Sequence, residues 1–160
     1  MEATSPRRVL EIRPISYAAI LDAPDAEALL LEYAVECSIP ELGPPVPQRE
    51  TYARMESSGL MHAFGAFDGR DLVGFATVLV CILPHYGKKI ATVESLFLAR
   101  SYRRGGAGGW LMNQVEEWVK EAGCVGMLYN ARAGSVLERL LASIPKRYQR
   151  TNSVFLWSVS

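Results

Sequence analysis

Hydrophobic and polar positions alternate along the chain with two different periods, and these periods predict a succession of strands and helices. The segment VLEIRPI predicts a first strand. The next segment, DAPDAEALLLEYAVECS, predicts an amphipathic helix whose apolar stripe is Ala26, Leu29, Leu30, Tyr33, Ala34 and Cys37. The loop IPELGPPVP, with four prolines, excludes regular structure and precedes a short helix around QRETYARMESS that Gly59 closes.

The middle of the chain predicts three antiparallel strands. The runs LMHAFGAF and DLVGFATVLVCIL flank a turn at Asp68-Gly69, and the turn GKK leads into IATVESLFLA. After a glycine-rich stretch, one helical face carries Ala107, Leu111, Val115, Trp118 and Ala122, and Gly123 is placed to end that helix. The remaining segments predict a buried strand (CVGMLYNA), a short helix (SVLERLLAS) and a last strand (NSVFLWSVS).

The composition of the chain mainly excludes several classes of protein. The chain has 160 residues, is 49% hydrophobic, and carries 17 basic and 17 acidic residues, so it lacks the basic surface of a nucleic-acid binder or a polybasic membrane anchor. The three cysteines form no CxxC pair, the two histidines have no ligand at metal-binding spacing, and neither a signal peptide nor a membrane-spanning run is found. We therefore expect a soluble cytoplasmic protein with no metal site and no nucleic-acid or membrane partner.

The stretch YRRGGAGGWL, residues 102–111, is the main candidate for chemistry. A helix begins with unpaired N–H groups and the positive end of its dipole, which together favour an anion. Glycines let a ligand approach the backbone closely, and Arg103 and Arg104 offer forked donors suited to phosphate. The alternative, which the glycines alone leave equally open, is a tight strand-to-helix turn with solvated arginines.

Other nucleotide-binding motifs do not fit this stretch. No Lys-Ser/Thr follows the glycines, as a P-loop requires, and Leu111 stands where the third glycine of a Rossmann fingerprint belongs. RNA-binding RGG tracts are repeated, disordered and basic overall, which this stretch is not. The sequence therefore favours neither a nucleoside triphosphate nor a dinucleotide.

The segment LFLARSYRRGGAGGWLM resembles the acyl-CoA-binding signature of the GNAT superfamily of N-acetyltransferases, an apolar strand followed by Arg/Gln-x-x-Gly-x-Gly/Ala and a long helix. Arg103, Gly106 and Gly108 match its fixed positions, and the order of predicted elements is similar over essentially the whole chain. The resemblance implies a single α/β (α+β) domain over residues 1–160, with a mixed sheet of about six to seven strands flanked by about four helices.

The resemblance also implies acetyl-CoA as the cofactor and assigns residues to it. Backbone groups of Leu96, Phe97 and Leu98 would pair with the pantetheine arm, where the strand ending near Leu98 splays from the strand beginning near Cys124. The pyrophosphate would be held by Arg103, Arg104, Gly105, Gly106, Ala107, Gly108 and Gly109. Asn130, after the next strand, belongs to the same set, and a homodimer is compatible with the resemblance.

Glu94 is the candidate general base. A primary amine with a pKa of about 10 is protonated at neutral pH and must lose a proton before it attacks a thioester. Similar enzymes often carry a glutamate at this place in the strand. Regular alternation puts Glu94 on one face with Thr92, Leu96 and Leu98, which predicts burial, whereas a solvent-facing carboxylate or a bulge is the alternative.

The chain departs from the family pattern at the general acid, because the tyrosine that many family members carry about seven residues after the asparagine is replaced by Leu137. Ser135 lies near this place, but SVLE also predicts a capping box in which Ser135 and Glu138 cap a helix. Tyr129 and Tyr148 are further candidates. The thiolate of CoA could also be protonated by solvent.

The sequence thus predicts an N-acetyltransferase that acts by direct attack in a ternary complex on an unknown amine. The loop from Ile39 to Pro47, the short helix after it and the hairpin near His85 would border the acceptor. The missing tyrosine supports one alternative, a catalytically silent acyl-CoA-binding module. An interaction domain, in which the glycines only form a turn, is the other alternative.

Overall fold

The protein, described here as a computed structural model over residues 9–157, is built on a five-stranded mixed sheet. The strands are β1 (Glu11–Ile15), β2 (Met61–Asp68), β3 (Asp71–Leu83), β4 (Lys88–Leu98) and β5 (Met127–Tyr129). The helices are α1 (Tyr17–Leu21), α2 (Ala26–Cys37), α3 (Arg49–Ser57), α4 (Ala107–Glu121) and α5 (Val136–Ala142). The strands follow chain order across the sheet: β1 to β4 pair antiparallel, and β5 pairs parallel to β4.

Helices cover the two faces of the sheet, and each face has its own core. On one face, Leu111, Val115 and Val119 of α4 pack against buried residues of β2, β3 and β4. On the other face, the buried residues of α1 and α2 pack against Phe75 and Phe97. The predicted apolar stripes of α2 and α4 are the faces that are buried here, because burial of one helical face supplies most of the stability of such helices.

The turns and helix ends lie at the residues that the sequence predicted for them. Gly69 has a φ of +63° in the β2–β3 turn, and Gly123 has a φ of +77° directly after α4. Ser135 caps α5, since its hydroxyl accepts a hydrogen bond from the Glu138 amide at 3.1 Å. Glu138 reaches back one residue further than expected, to the amide of Gly134 at 2.6 Å.

Two predictions about the sheet are wrong. The final strand is absent from the described part of the chain, because residues 152–157 pair with no strand and are exposed, while the rest of that segment lies outside the described residues. The strand predicted to be buried after α4, CVGMLYNA, is limited to the three residues of β5, which are only half-buried. Strand-forming composition alone does not make a strand without a neighbouring strand to pair with. The described sheet therefore has five strands rather than six or seven.

A helix that the sequence reasoning missed raises the number of helices from about four to five in the described residues. Helix α1 is a single short stretch directly after β1. Ser16 caps it, with the Ser16 hydroxyl accepting from the Ala19 amide at 3.1 Å. None of the helices within residues 9–157 combines the length and apolar character needed to cross a membrane.

Candidate active site

The glycine-rich stretch forms the turn that joins β4 to α4. Two short 3-10 turns, Arg100–Tyr102 and Arg104–Gly106, connect the strand to the helix. Gly105 and Gly106 have φ values of +72° and +85°, a conformation that other residues rarely adopt, and α4 begins at the next residue. These two glycines are thus required by the backbone itself.

The glycines on the helical side of the turn leave room for a ligand. A Cβ atom added to Gly105, Gly108 or Gly109 would meet nothing within 4 Å. The first N–H groups of α4 have no acceptor within the helix and lie at the positive end of its dipole. This turn, residues 104–109, is therefore an open set of backbone donors suited to an anion, and we call it the amide cradle.

Strand β4 leads to the amide cradle past a gap in the sheet. Its ladder with β5 covers only Ala91 to Val93, although β4 continues to Leu98. The Ala99 amide donates to the Val73 carbonyl at 2.9 Å, which fixes the alternation of backbone groups along this part of β4. Phe97 therefore pairs with β3, whereas the backbone groups of Leu96 and Leu98 point into the gap.

Asn130 lies where the two strands separate. Its side-chain amide donates to the Val93 carbonyl at 3.4 Å. Val93 is the last residue of β4 that pairs with β5. The ladder between β4 and β5 therefore ends at Val93, beside Asn130, and a splay of these strands as the entrance for a cofactor stays a prediction.

Arg103 and Arg104 are placed very differently in the cradle. Both terminal nitrogens of Arg103 donate to the Glu36 carboxylate, at 2.8 and 2.5 Å, and its Nε donates to the Leu98 carbonyl at 2.7 Å. Arg104 is exposed and pairs with no acidic residue within residues 9–157. The Arg103 side chain thus ties the loop to α2, and only Arg104 presents an unpaired guanidinium beside the cradle.

Glu36 at the end of α2 collects several contacts from this loop. Arg100 donates to it from Nε at 3.2 Å, and Arg132 donates to its backbone carbonyl at 3.2 Å. The hydrogen bonds from Arg103 hold the pKa of Glu36 below its usual range, and the charges of Arg103 and Arg100 act in the same direction. Sequence reasoning missed Glu36, because it lies 67 residues from Arg103 and no local pattern links the two.

Glu94 lies at a β-bulge in β4. Thr77 pairs with Ser95 and Val78 pairs with Val93, which leaves Glu94 as the extra residue. Its side chain is consequently exposed, and the burial predicted from regular alternation is wrong. The same bulge shifts the phase of the strand, so that the backbone of Leu96 rather than Ser95 faces the gap.

Hydroxyl groups hold the Glu94 carboxylate from two sides. The Tyr52 hydroxyl of α3 donates to Oε1 at 3.0 Å, and the Thr77 hydroxyl of β3 donates to Oε2 at 2.6 Å. The short helix after the proline-rich loop thus lies beside Glu94. Tyr52 was missed by the sequence reasoning, and its place in that helix was the one available signal.

Two more tyrosines surround this carboxylate. The ring of Tyr17 stacks on that of Tyr52 with centroids 3.7 Å apart, and Tyr33 packs edge-on against Phe75 and Phe97. Burial, and secondarily the charge of Glu94, raises the pKa of Tyr52 and of Tyr33. These phenols therefore stay neutral and can only donate to or pack around the carboxylate at ordinary pH.

The candidate acids occupy other environments. Tyr129 and Tyr148 both donate to Oε1 of Glu116 in α4, at 2.6 and 2.8 Å, and Arg147 also contacts this carboxylate. Burial followed by the Glu116 contact raises the pKa of Tyr129, and the same causes raise that of Tyr148 to about 12. Ser135 is occupied as the cap of α5. The structure therefore brings neither Tyr129 nor Ser135 into contact with Glu94.

These features define an α+β protein with the amide cradle at a strand-to-helix turn and a carboxylate on the strand that leads to it. The profile of the acetyltransferase (GNAT) family matches residues 27–141, more than half of the chain, and the protein belongs to this family. No curated protein sequence matches the chain significantly.

Solved structures with this fold include several acetyltransferases. The aminoglycoside acetyltransferase meta-AAC0020, from an uncultured soil metagenomic sample and in complex with trehalose, superposes with a TM-score of 0.71 at 16% identity, covering 94% of this chain and 97% of that one. The aminoglycoside acetyltransferase HMB0005, also from soil, gives 0.71 at 20% identity over 95% and 99%. A ribosomal-protein-alanine N-acetyltransferase from Brucella melitensis biovar Abortus gives 0.65 at 18% identity over 94% and 100%. At these identities the likeness establishes the fold.

Proposed function

We propose that this protein is an N-acetyltransferase that moves an acetyl group from acetyl-CoA to a primary amine by direct attack in a ternary complex. The observation that carries the proposal is the arrangement along one strand. Strand β4 carries Glu94, whose carboxylate is held by two hydroxyl groups. Two and four residues later, the backbone groups of Leu96 and Leu98 face the gap in the sheet, and the amide cradle follows the end of the strand.

The residues present fit acyl-CoA. The backbone of Leu96 and the amide of Leu98 would hold the pantetheine arm in the gap, as a neighbouring strand would. The amide cradle would hold the pyrophosphate, because added Cβ atoms at Gly108 and Gly109 meet only open space and the helix dipole favours negative charge. Arg104 would add an exposed positive charge. Arg103 would contribute indirectly, by fixing the loop on Glu36.

Acetyl-CoA would supply the thioester, whose carbonyl carbon bonds to the amine nitrogen as the carbon–sulfur bond breaks. Glu94 accepts the proton that the ammonium form of the acceptor must lose. Tyr52 and Thr77 each donate to a different oxygen of Glu94, so the carboxylate is held in one orientation and each oxygen keeps a lone pair that can accept. The exposed position of Glu94 lets an incoming amine, or a water between them, reach it.

Solvent is the proposed source of the proton for the departing thiolate. Tyr129 and Tyr148 already give their protons to hydrogen bonds with Glu116, and their raised pKa makes them weaker acids. A CoA thiol with a pKa not far above that of cysteine leaves as a thiolate that water can protonate. Cys37, Cys81 and Cys124 are all free, which fits the cytoplasmic location that we propose.

Calorimetric titration with acetyl-CoA and with CoA tests the first half of the proposal. We expect both ligands to bind with 1:1 stoichiometry, and binding should weaken as salt is added because Arg104 is exposed to screening ions. Absence of binding to either ligand would contradict acyl-CoA use and favour an interaction domain.

A thiol-release assay over a panel of amines tests the second half. The panel should contain aminoglycosides such as sisomicin, which is bound in a structural neighbour, and alanine peptides, which the name of another neighbour suggests. We expect at least one acceptor to release CoA thiol faster than water does. Binding of acetyl-CoA without release by any amine would instead identify a catalytically silent module.

A further inference from the structure

Two polar side chains are buried in the described part of the chain, and they lie beside each other. Thr77 of β3 is 0% exposed and Ser95 of β4 is 7% exposed, whereas the two cores consist of hydrophobic side chains. Thr77 and Ser95 are register partners at the bulge in β4. Their hydroxyls therefore meet inside the sheet, at the one place where the β3–β4 ladder is irregular.

Their hydrogen bonds run in one direction. Thr77 Oγ1 lies 2.6 Å from Oε2 of Glu94 and 2.6 Å from Oγ of Ser95. A carboxylate can only accept, so the single Thr77 hydrogen is donated to Glu94. Ser95 must then donate to Thr77. The result is a chain of two buried hydroxyls that ends on the carboxylate.

A hydroxyl at position 77 is not required for packing. Valine has nearly the same shape and is favoured in strands, and the neighbouring Val78 fills an equally buried position. A buried hydroxyl is tolerated only when it is hydrogen-bonded. The partner that uses the Thr77 hydrogen is Glu94, which the bulge turns toward the solvent.

We infer that Thr77 and Ser95 are positioning residues for Glu94, and that they fix the orientation in which this carboxylate accepts the acceptor's proton. The inference rests on the proposed function. Thr77 acts directly on the carboxylate, and Ser95 acts through Thr77. Neither residue is placed against the acceptor or the acyl-CoA.

The other titratable groups that the described structure places near Glu94 are three tyrosines. Tyr52 of α3 donates to its second oxygen, and Tyr17 of α1 and Tyr33 of α2 stand near enough for its charge to raise their pKa. All three are phenols that stay neutral at and below neutral pH. The orientation of Glu94 is therefore set by neutral hydroxyl groups and not by a paired charge.

Three substitutions test the inference by kinetics. Thr77→Val removes the donor and keeps the shape, Thr77→Ser keeps the donor, and Thr92→Val makes the matched change at a half-buried position of β4. We expect Thr77→Val to lower kcat about tenfold with little change in KM, because the carboxylate loses a donor that fixes its orientation. Thr77→Ser and Thr92→Val should behave like the parent.

Two kinetic results would overturn the inference. One is a Thr77→Val variant with the parent's kcat. The other is a Thr77→Ser variant that loses as much as Thr77→Val, because packing rather than the hydroxyl would then be responsible. Ser95→Ala provides a second variant, for which we expect a smaller loss of about threefold since it acts through Thr77.

Carbon-13 NMR of the glutamate carboxyl groups gives a readout that needs no activity. The Glu94 resonance is assigned by its loss in Glu94→Gln. Its chemical shift should change in Thr77→Val and stay near that of the parent in Thr77→Ser, because only the first variant loses the hydrogen bond to the carboxylate. An unchanged resonance in Thr77→Val would contradict the inference even if no acceptor is found, whereas a changed resonance in a protein without transfer activity would instead count against the proposed function.

Discussion

The amide cradle and the Glu94 site lie on the same strand, yet the two regions are anchored by opposite kinds of interaction. The loop before α4 is held by charges: Arg103 makes two hydrogen bonds to Glu36 and one to the Leu98 carbonyl. Glu94 is held by the neutral hydroxyls of Tyr52 and Thr77.

This difference in anchoring follows from the group that is proposed to contact the substrates in each region. In the cradle the backbone amides are the proposed ligands, so the side-chain charges of Arg103 and Glu36 can neutralise each other and serve only to fix the loop. At Glu94 the carboxylate itself is the proposed base, and a paired cation would reduce its ability to take a proton from an ammonium ion. Neutral donors fix its orientation without cancelling its charge.

The largest effect should come from filling the cradle. Gly108→Val places a side chain in the open space above the first turn of α4, and we expect it to abolish detectable CoA binding because several amides would lose access to the phosphates. Calorimetry measures the binding, and circular dichroism checks that the fold is kept. Gly126→Val is the matched control, since a Cβ there also meets open space outside the cradle. Normal CoA affinity in folded Gly108→Val would refute the cradle.

Changing the base should separate chemistry from binding. Glu94→Gln keeps the size of the side chain but cannot take the proton, so turnover should fall about 100-fold at neutral pH while acetyl-CoA affinity stays near that of the parent. Raising the pH should restore part of the rate, because more of the amine is then neutral. Steady-state kinetics across pH, with calorimetry at one pH, measures both parts. Parent-like turnover throughout would leave Glu94 as an ordinary strand carboxylate.

Breaking the charge pair should affect stability and then binding. Glu36→Gln removes the carboxylate that holds Arg103, and we expect a loss of about 1 to 2 kcal/mol in the free energy of unfolding at neutral pH, together with weaker CoA binding. The pKa of Glu36 is lowered in the folded protein, so its contribution is present above the ordinary carboxyl range and is lost as the pH falls through the lowered pKa. Urea unfolding of both proteins should therefore show a difference that narrows in acid. A constant difference would assign the loss to packing.

The smallest effect is expected at the tyrosines that contact Glu116. Tyr129→Phe and Tyr148→Phe should each lower turnover less than about tenfold, because these hydroxyls donate to Glu116 and their raised pKa disfavours proton release. The measured quantity is kcat with saturating acetyl-CoA. A loss of about 100-fold in either variant would identify that tyrosine as the general acid and remove solvent from this role.

Local patterns in the sequence predicted most of the elements in this fold. The amphipathic stripes of α2 and α4, the Asp68-Gly69 turn and the Ser135 cap depend on residues a few positions apart, and all are found. No strand forms over residues 152–157, the described part of the predicted last strand, because a strand needs a pairing partner that its own composition does not supply. The family resemblance was likewise carried by a local motif, and the family profile confirms it.

The details of the site depend on contacts between distant parts of the chain. Tyr52 and Glu94 are 42 residues apart, and Glu36 and Arg103 are 67 apart, so periodicity within one segment cannot reveal either pair. The bulge at Glu94 is a property of the pairing between β3 and β4. It reverses which residues face outward, and regular alternation predicted the wrong side for that reason.

The short ladder between β4 and β5 has a consequence for motion. Three register pairs join these strands, whereas β3 and β4 pair along nearly their whole length. Local opening costs least where few hydrogen bonds must break together, so the amides of Met127–Tyr129 should exchange with deuterated solvent much sooner than those in the centre of β3. A ligand that bridges the gap beyond Val93 would slow this exchange, which makes β5 an internal reporter of occupancy that needs no attached probe and no acceptor.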